Sequence, residues 1–365
     1  MHPFGTIGLY SNSGGVSPPS NGWLTPPVMT DTTMNGLTDA CGLFCNVLDI
    51  GDRNYFSCIA SGNYTVSVYT SVGGTLISSQ NIVSNVQCNW QIDWATCTKS
   101  IDANTRQAYV EITPQAGQSL ALLRLNTNHP AETNANSSPN FVAAYGALPT
   151  LTNATNMFTY CYALQAVTLA ALSALSNATS MFASCIALQA VTLPTLPALT
   201  NATNMFAYCY ALQAVTLPTL PALTNTTNMF VSCIALQAVT LPTLPALTNA
   251  TSMFASCYAL QAITLTALSA LTNATSMFGS TVETACARSI RKITNSGLGT
   301  AFASATTFIL RYTAIQEPEA LAWVSSLGTS ANTITFDLRN NPFSTSALVV
   351  PAILAKFPNS VVTLV

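Results

Sequence analysis

The chain has 365 residues, 49% of them hydrophobic and only 6% charged, and its 10 basic and 12 acidic side chains give a net charge of −2; an ordinary soluble domain carries about 25% charged residues. Ten scattered cations offer no stripe for neutralising phosphates, which argues against nucleic acid as a partner. Thr, Ser, Asn and Pro interrupt the Ala, Leu and Val every few positions, so no run of about 18 apolar residues is available for membrane insertion, and the abundance of Leu, Val, Phe and Tyr disfavours disorder.

The charges are unevenly placed, since Thr133 to Val282 holds no Asp, Glu, Lys, Arg or His. Residues 1–22, rich in Ser, Gly and Pro, read as an N-terminal arm without the basic and apolar regions of a secretory signal. From 23 to 132 the texture is that of short alternating strands, and a β-sandwich-like attachment module is expected. Asn63–Tyr69 (NYTVSVY) alternates at period two and runs into Gly73-Gly74, after which TLISSQNIV is expected to return as a hairpin. QAYVEITP (Gln107–Pro114) and SLALLRLN (Ser119–Asn126) read as two further strands. Three segments, NGWLTPPV (Asn21–Val28), ASGNYTVSVY (Ala60–Tyr69) and RQAYVEITPQAG (Arg106–Gly117), resemble the N-terminal modules of structural proteins from marine tailed bacteriophages. Those proteins often carry Met-Phe-Cys repeats downstream. In them the Tyr-Thr-Val strand usually leads into an Asp-Trp-Gly-Asp-Gly turn; this chain has SVYTSVGG there, so no role of that turn carries over. The resemblance implies that the module binds other virion structural proteins. Residues 133–150, opening with TNANSSPN, are expected to be a linker leading into the first coil of the next region.

From 151 to 281 the chain repeats every 24 residues, seen in full as LTNATNMFAYCYALQAVTLPTLPA from Leu199 to Ala222. Met157, Met181, Met205, Met229, Met253 and Met277 are each followed by Phe, and Cys161, Cys185, Cys209, Cys233 and Cys257 keep the same phase, with Thr281 where a sixth cysteine is due. In LQAVTL (Leu212–Leu217), Val215 and Leu217 alternate with Ala214 and Thr216, which predicts a short parallel strand. Asn201 or Thr203 is placed to cap a short helical turn through Met205, Phe206 and Cys209. Pro218 and Pro221 then turn the chain back. Each unit reads as one coil of a solenoid whose stacking buries Met on Met, Phe on Phe and Cys on Cys. The pattern N-x-T-x-M-F-x-x-C-x-x-L, present as Asn201, Thr203, Met205, Phe206, Cys209 and Leu212, resembles the leucine-rich repeats of the bacterial surface protein (BspA-like) type. The repeats here are poorer in Asp and Ser than is usual for that type, and no metal or other cofactor is expected.

Residues 282–365 read as irregular leucine-rich-type coils and a C-terminal cap, where charges return to face water. Ala331–Ser344 resembles a leucine-rich strand with an asparagine turn, and SVVTLV is expected to supply a last strand. The fold class expected is therefore mostly β with short helices.

Catalytic residues are not expected. His2 falls in the arm and His129 in a linker, and Asp49 and Asp52 read as a solvated turn rather than a hydrolytic pair. The cysteine column admits buried thiols acting as small hydrophobes, a disulfide zipper or a metal column; an odd number of cysteines and the lack of neighbouring His favour thiols. Of the other cysteines, Cys88 and Cys97 flank a predicted hairpin and are candidates for a disulfide. N-A-T and N-T-T recur once per coil and read as turn and cap groups rather than glycosylation acceptors. The candidate binding face is the outward row Thr168, Thr192, Thr216, Thr240 and Thr264, flanked by Gln165, Gln189, Gln213, Gln237 and Gln261. Threonine also simply suits an exposed strand.

These readings lead to the expectation of a non-enzymatic virion protein of a tailed phage, such as a tail fibre or a capsid or tail appendage. It would be made in the host cytoplasm and would offer its solenoid to a host-surface protein or glycan, with an oligomeric assembly expected. A bacterial cell-surface adhesin is the alternative, and an ice-binding solenoid a weaker one.

Overall fold

The period-two alternation of YTVSVY is realised in a strand that buries Tyr64, Val66 and Val68 and leaves Thr65, Ser67 and Tyr69 half-exposed. The computed structural model describes residues 39–48, 55–70, 74–100, 103–125, 141–266, 268–279, 290–295, 307–310, 313–329, 331, 333–343 and 346–363. The arm, Asn21–Val28, Thr133–Asn140, His2, His129, Asp49, Asp52 and Cys286 lie outside the described residues. Among the described residues the protein is mostly β, with two short helices and a solenoid of about eight coils of about 24 residues.

The N-terminal module contains β1 (Ala40–Leu48), β2 (Tyr55–Ala60), β3 (Tyr64–Tyr69), β4 (Leu76–Ile82), β5 (Cys88–Gln91), β6 (Lys99–Ser100), β7 (Thr105–Pro114) and β8 (Leu123–Arg124), with β9 (Phe141–Ala147) following. The expected hairpin is present, β3 pairing antiparallel with β4 from Tyr64 opposite Ile82 to Tyr69 opposite Leu76. One sheet runs β4-β3-β7-β1-β9, and a second runs β5-β2-β8. Leu43, Val66 and Val110 from the first and Cys58, Cys88 and Leu123 from the second enter one core.

β9 is the adaptor between two kinds of sheet. On one edge it pairs antiparallel with β1, and on the other it pairs in parallel with β10 (Ala166–Ala171), the first strand of the solenoid, which in turn pairs with β11 (Ala190–Thr192). The close approach of β9 to β1 requires a glycine: a Cβ on Gly146 would lie 2.5 Å from the Ala40 carbonyl oxygen and 3.2 Å from the Cys41 Cα. The apolar core is correspondingly continuous from the module through the repeats to the C-terminal coils.

Within the repeats the strands recur as β12 (Ala238–Thr240) and β13 (Ala262–Leu265), while the third coil keeps the same register through the bridges of Thr216 to Thr192 and Thr240. The short helical turn expected around Met205, Phe206 and Cys209 is instead a chain of tight turns. Met205 N–H donates to the Ala202 carbonyl, Ala207 to Asn204 and Cys209 to Phe206. Left-handed residues at Asn204 (φ 56°) and Tyr208 (φ 62°) break the helical run. They also turn every second N–H toward the next coil, so that Ala202, Asn204, Phe206 and Tyr208 donate to the carbonyls of Asn225, Thr227, Met229 and Val231. The cap expected from Asn201 is present, its Oδ1 accepting from Thr203 N–H at 3.0 Å and Thr203 Oγ1 at 2.7 Å. The same backbone bond to Oδ1 recurs at Asn153, Asn177, Asn225, Asn249 and Asn273, in N-A-T coils and in the N-T-T coil alike. Phe158, Phe182, Phe206, Phe230, Phe254 and Phe278 form one buried column, with ring centroids 5.3 to 6.0 Å apart and planes within 8° of parallel. Full burial of each ring contributes roughly 1.5–3 kcal/mol.

The stack continues through β14 (Lys292–Asn295), parallel to β13, and then through β15 (Thr307–Ile309), β16 (Thr335–Asp337) and β17 (Val361–Thr363). SVVTLV thus supplies the expected last strand. Asn341 makes the expected asparagine turn, buried and donating to the Leu338 carbonyl at 2.8 Å while accepting from Thr313 N–H and Oγ1, each at 2.8 Å. The helices, α1 (Glu317–Ser325) and α2 (Val349–Lys356), replace the tight turns in these last coils.

Gly146→Val forces a β-branched side chain against the Ala40 carbonyl. It is expected to lower the denaturation midpoint and to separate the unfolding of module and solenoid into two transitions, followed by calorimetry. An unchanged single transition would contradict the adaptor role.

Candidate functional site

Parallel, in-register pairing brings the predicted outward residues together. Thr168, Thr192, Thr216, Thr240 and Thr264 pair successively across adjacent coils. The first four are exposed and Thr264 is half-buried. The row extends past its predicted ends, with Thr168 opposite Tyr145 on β9 and Thr264 opposite Thr294 on β14. Its inward neighbours Val167, Val191, Val215, Val239 and Ile263 are buried, so the period-two alternation that fills the core also lines up the hydroxyls. The glutamines form a second row beside it. Gln189, Gln213, Gln237 and Gln261 N–H groups donate in turn to the Gln165, Gln189, Gln213 and Gln237 carbonyls at 2.8 to 3.4 Å. Gln165 is half-buried and the other four are exposed. The outcome is a neutral, hydroxyl- and amide-bearing strip, met at its C-terminal end by the exposed Arg291 and Lys292.

The cysteine column faces inward. Cys185, Cys209, Cys233 and Cys257 are buried thiols whose Sγ donates to the carbonyls of Phe158, Phe182, Phe206 and Phe230 at 3.0 to 3.1 Å. Each thiol is therefore a small apolar group that also provides a hydrogen bond to the preceding coil. Burial pushes the Cys209 and Cys257 thiols up to about 12. It pushes Cys185 and Cys233 well above their ordinary value too, with neighbouring ladder thiols adding to the effect. These are inert positions for nucleophilic chemistry.

The expected pairing of Cys88 with Cys97 is not made, and both are free, buried thiols. The segment between them is not a hairpin. After β5 the chain enters a 3-10 turn at Trp94–Thr96, capped by Asp93, whose Oδ1 accepts from Ala95 N–H at 2.9 Å. Arg106 holds that turn, its guanidinium 3.5 Å above the Trp94 ring and donating to the Cys97 carbonyl at 2.9 Å. Cys88 instead lies directly across the strand pair from Cys58. Burial raises the Cys58 thiol, whereas the hydrogen bond from Cys58 lowers Cys88. Sequence spacing could not reveal this pair, because 29 intervening positions separate two cysteines that become neighbours only in the sheet.

Residues 152–281 match the BspA type leucine rich repeat region, in six copies. The solenoid is consistent with a surface- or adhesion-type repeat protein. Among curated proteins compared with the chain, none matches.

Two outcomes follow from the thiols. Because a ladder thiol ionises near 9 in the open chain but Cys209 only at about 12 in the fold, the stability it contributes is complete below pH 9 and declines as pH rises from 9 to 12. Cys209→Ala should reduce stability by about 1–3 kcal/mol and flatten that alkaline decline, both read from denaturant titrations; equal slopes would contradict the assignment. Under oxidised glutathione, peptide mapping should find any bridge at Cys88 joined to Cys58, and a Cys88–Cys97 peptide would overturn the assignment.

Proposed function

We propose that this leucine-rich-repeat chain is a non-enzymatic attachment protein, in which the N-terminal module is the base and the solenoid presents a recognition surface. The observation that carries this reading is the strand face itself. Its threonines and glutamines stand in register along rows that the fold does not need for its core, on a scaffold joined to the module through paired strands. Recognition there would rest on hydroxyl and amide hydrogen bonds to a neutral host-surface glycan or protein, with backbone rigidity limiting the ordering entropy.

The setting we propose is a tailed-phage virion, as a tail fibre or a capsid or tail appendage, with several copies assembled through the module. The support is the likeness of Ala60–Tyr69 and Arg106–Gly117 to phage structural modules, together with the order of sandwich and then repeats. A bacterial cell-surface adhesin is the second reading, favoured by the repeat match over residues 152–281.

Immunogold labelling of source cultures with an antibody to the solenoid distinguishes the two. Label on tailed particles is expected, and label confined to cell envelopes would contradict the virion setting while supporting the adhesin. For the face itself, Thr216→Lys with Gln213→Glu should abolish attachment to host cells. Wild-type attachment should change little between low and high salt, because a neutral contact has no charge to screen. A steep salt dependence would contradict the face.

A further inference from the structure

The turn corner of the solenoid carries a second surface that the strand face does not explain. There, a groove of about 470 Å3 is lined by Asn156, Tyr160, Ser180, Ser184, Asn204 and Tyr208, among others, within the range of about 300–1,000 Å3 of small-ligand sites. These six residues all adopt left-handed backbone, with φ between 54° and 62°. Asparagine tolerates that region comparatively well; a bulky aromatic is a poor choice there. The corresponding position in three coils is Ser184, Ser232 or Ser256, yet the first and third coils place Tyr160 and Tyr208. Burial does not account for the exchange, since Tyr208 is 46% exposed and Tyr160 half-buried. Strained positions holding residues that the core does not require are found at functional sites.

The two tyrosines also come as pairs. Tyr160 packs against Tyr162 at 6.0 Å between ring centroids, and Tyr208 against Tyr210 at 6.5 Å. The intervening coil has Ser184 and Ile186, so two aromatic pairs stand two coils apart with a serine-bearing floor between them. At the spacing of adjacent strands that separation is about 10 Å, close to the length of two linked pyranose rings. Aromatic faces take the C–H faces of sugars, and Asn and Ser side chains supply donors and acceptors for their hydroxyls. The stretch Thr133–Val282 offers no cation for an acidic sugar.

We infer that this groove is a binding site for a neutral, linear oligosaccharide, seated across the Tyr160 and Tyr208 pairs with Ser184 beneath it. The inference rests on the attachment reading for its biological setting and assigns the ligand class to a face distinct from the threonine row.

The test uses the full chain and four uncharged probes, cellotetraose, chitotetraose, maltotetraose and mannotetraose, titrated by calorimetry. At least one should bind, and Tyr160→Ser with Tyr208→Ser should weaken it at least tenfold. Serine is what sibling coils carry at this position, so the variant should keep or raise the denaturation midpoint. Val83→Lys, at an exposed position of the N-terminal module outside both faces, should leave oligosaccharide binding unchanged. Binding by none of the four probes, or binding that survives the double substitution, would overturn the groove assignment. Cell attachment that persists in the double variant and is lost in the Thr216 variant would overturn the groove's part in attachment while leaving the strand face standing. Attachment abolished by protease treatment of cells and untouched by periodate would point to a protein ligand and overturn the inference.

Discussion

A coil of this solenoid cannot satisfy its own backbone, and the structure is organised by the two hydrogen-bond ladders through which adjacent coils satisfy one another. One ladder is the parallel strand pairing that aligns the threonines. The other runs along the turn corner, where alternating left-handed residues direct N–H groups at Ala202, Asn204, Phe206 and Tyr208 into the next coil. A buried peptide group without a partner costs about as much as a lost hydrogen bond, so each coil depends on its neighbour, and neither ladder calls for charge. Side chains complete the pattern: asparagine Oδ1 accepts to close its local turn, while threonine hydroxyls and cysteine thiols donate to carbonyls of the preceding coil. This is how a stretch with no Asp, Glu, Lys, Arg or His stacks without ion pairs.

Such a stack must begin and end somewhere, because an open coil presents unpaired strand edges to solvent. At the start, β9 is antiparallel to the module on one side and parallel to the repeats on the other, and Gly146 permits the necessary closeness to β1. At the far end the regular turns give way to α1 and α2, and charge reappears, with Arg339 forming an ion pair to Asp337 at 3.0 Å. The module therefore continues the strand ladder at its start, and among the described residues the last coils pair their strands in a separate sheet that ends at β17.

Much of this architecture was legible from local patterns. Period-two alternation in YTVSVY and LQAVTL located strands and the faces they expose, the recurrence of Met-Phe and Cys located the columns, and N-A-T located the caps. What local pattern could not supply was conformation that depends on a neighbour. Met205, Phe206 and Cys209 have helical spacing, yet inter-coil bonds to left-handed residues outweigh the helix. The role of Phe141–Ala147 as a strand with two kinds of neighbour depends on β1, which lies far upstream. Cys88 found Cys58 for the same reason, through sheet pairing rather than spacing. On the strand face the rows were predictable, because register follows from the repeat; the tyrosine groove was not, because its signal is a departure from serine that acquires meaning only once the left-handed backbone is seen.

The turn-corner ladder is the feature on which the stack, the thiol caps and the tyrosine groove all depend. Hydrogen exchange of the full chain reads it directly at the amides of Phe158, Phe182, Phe206 and Phe230. The account predicts protection there equal to that at the paired strand-side amides and rising to the global stability limit. Exchange at the rate of surface loops at these four amides, with the strand side still protected, would contradict it.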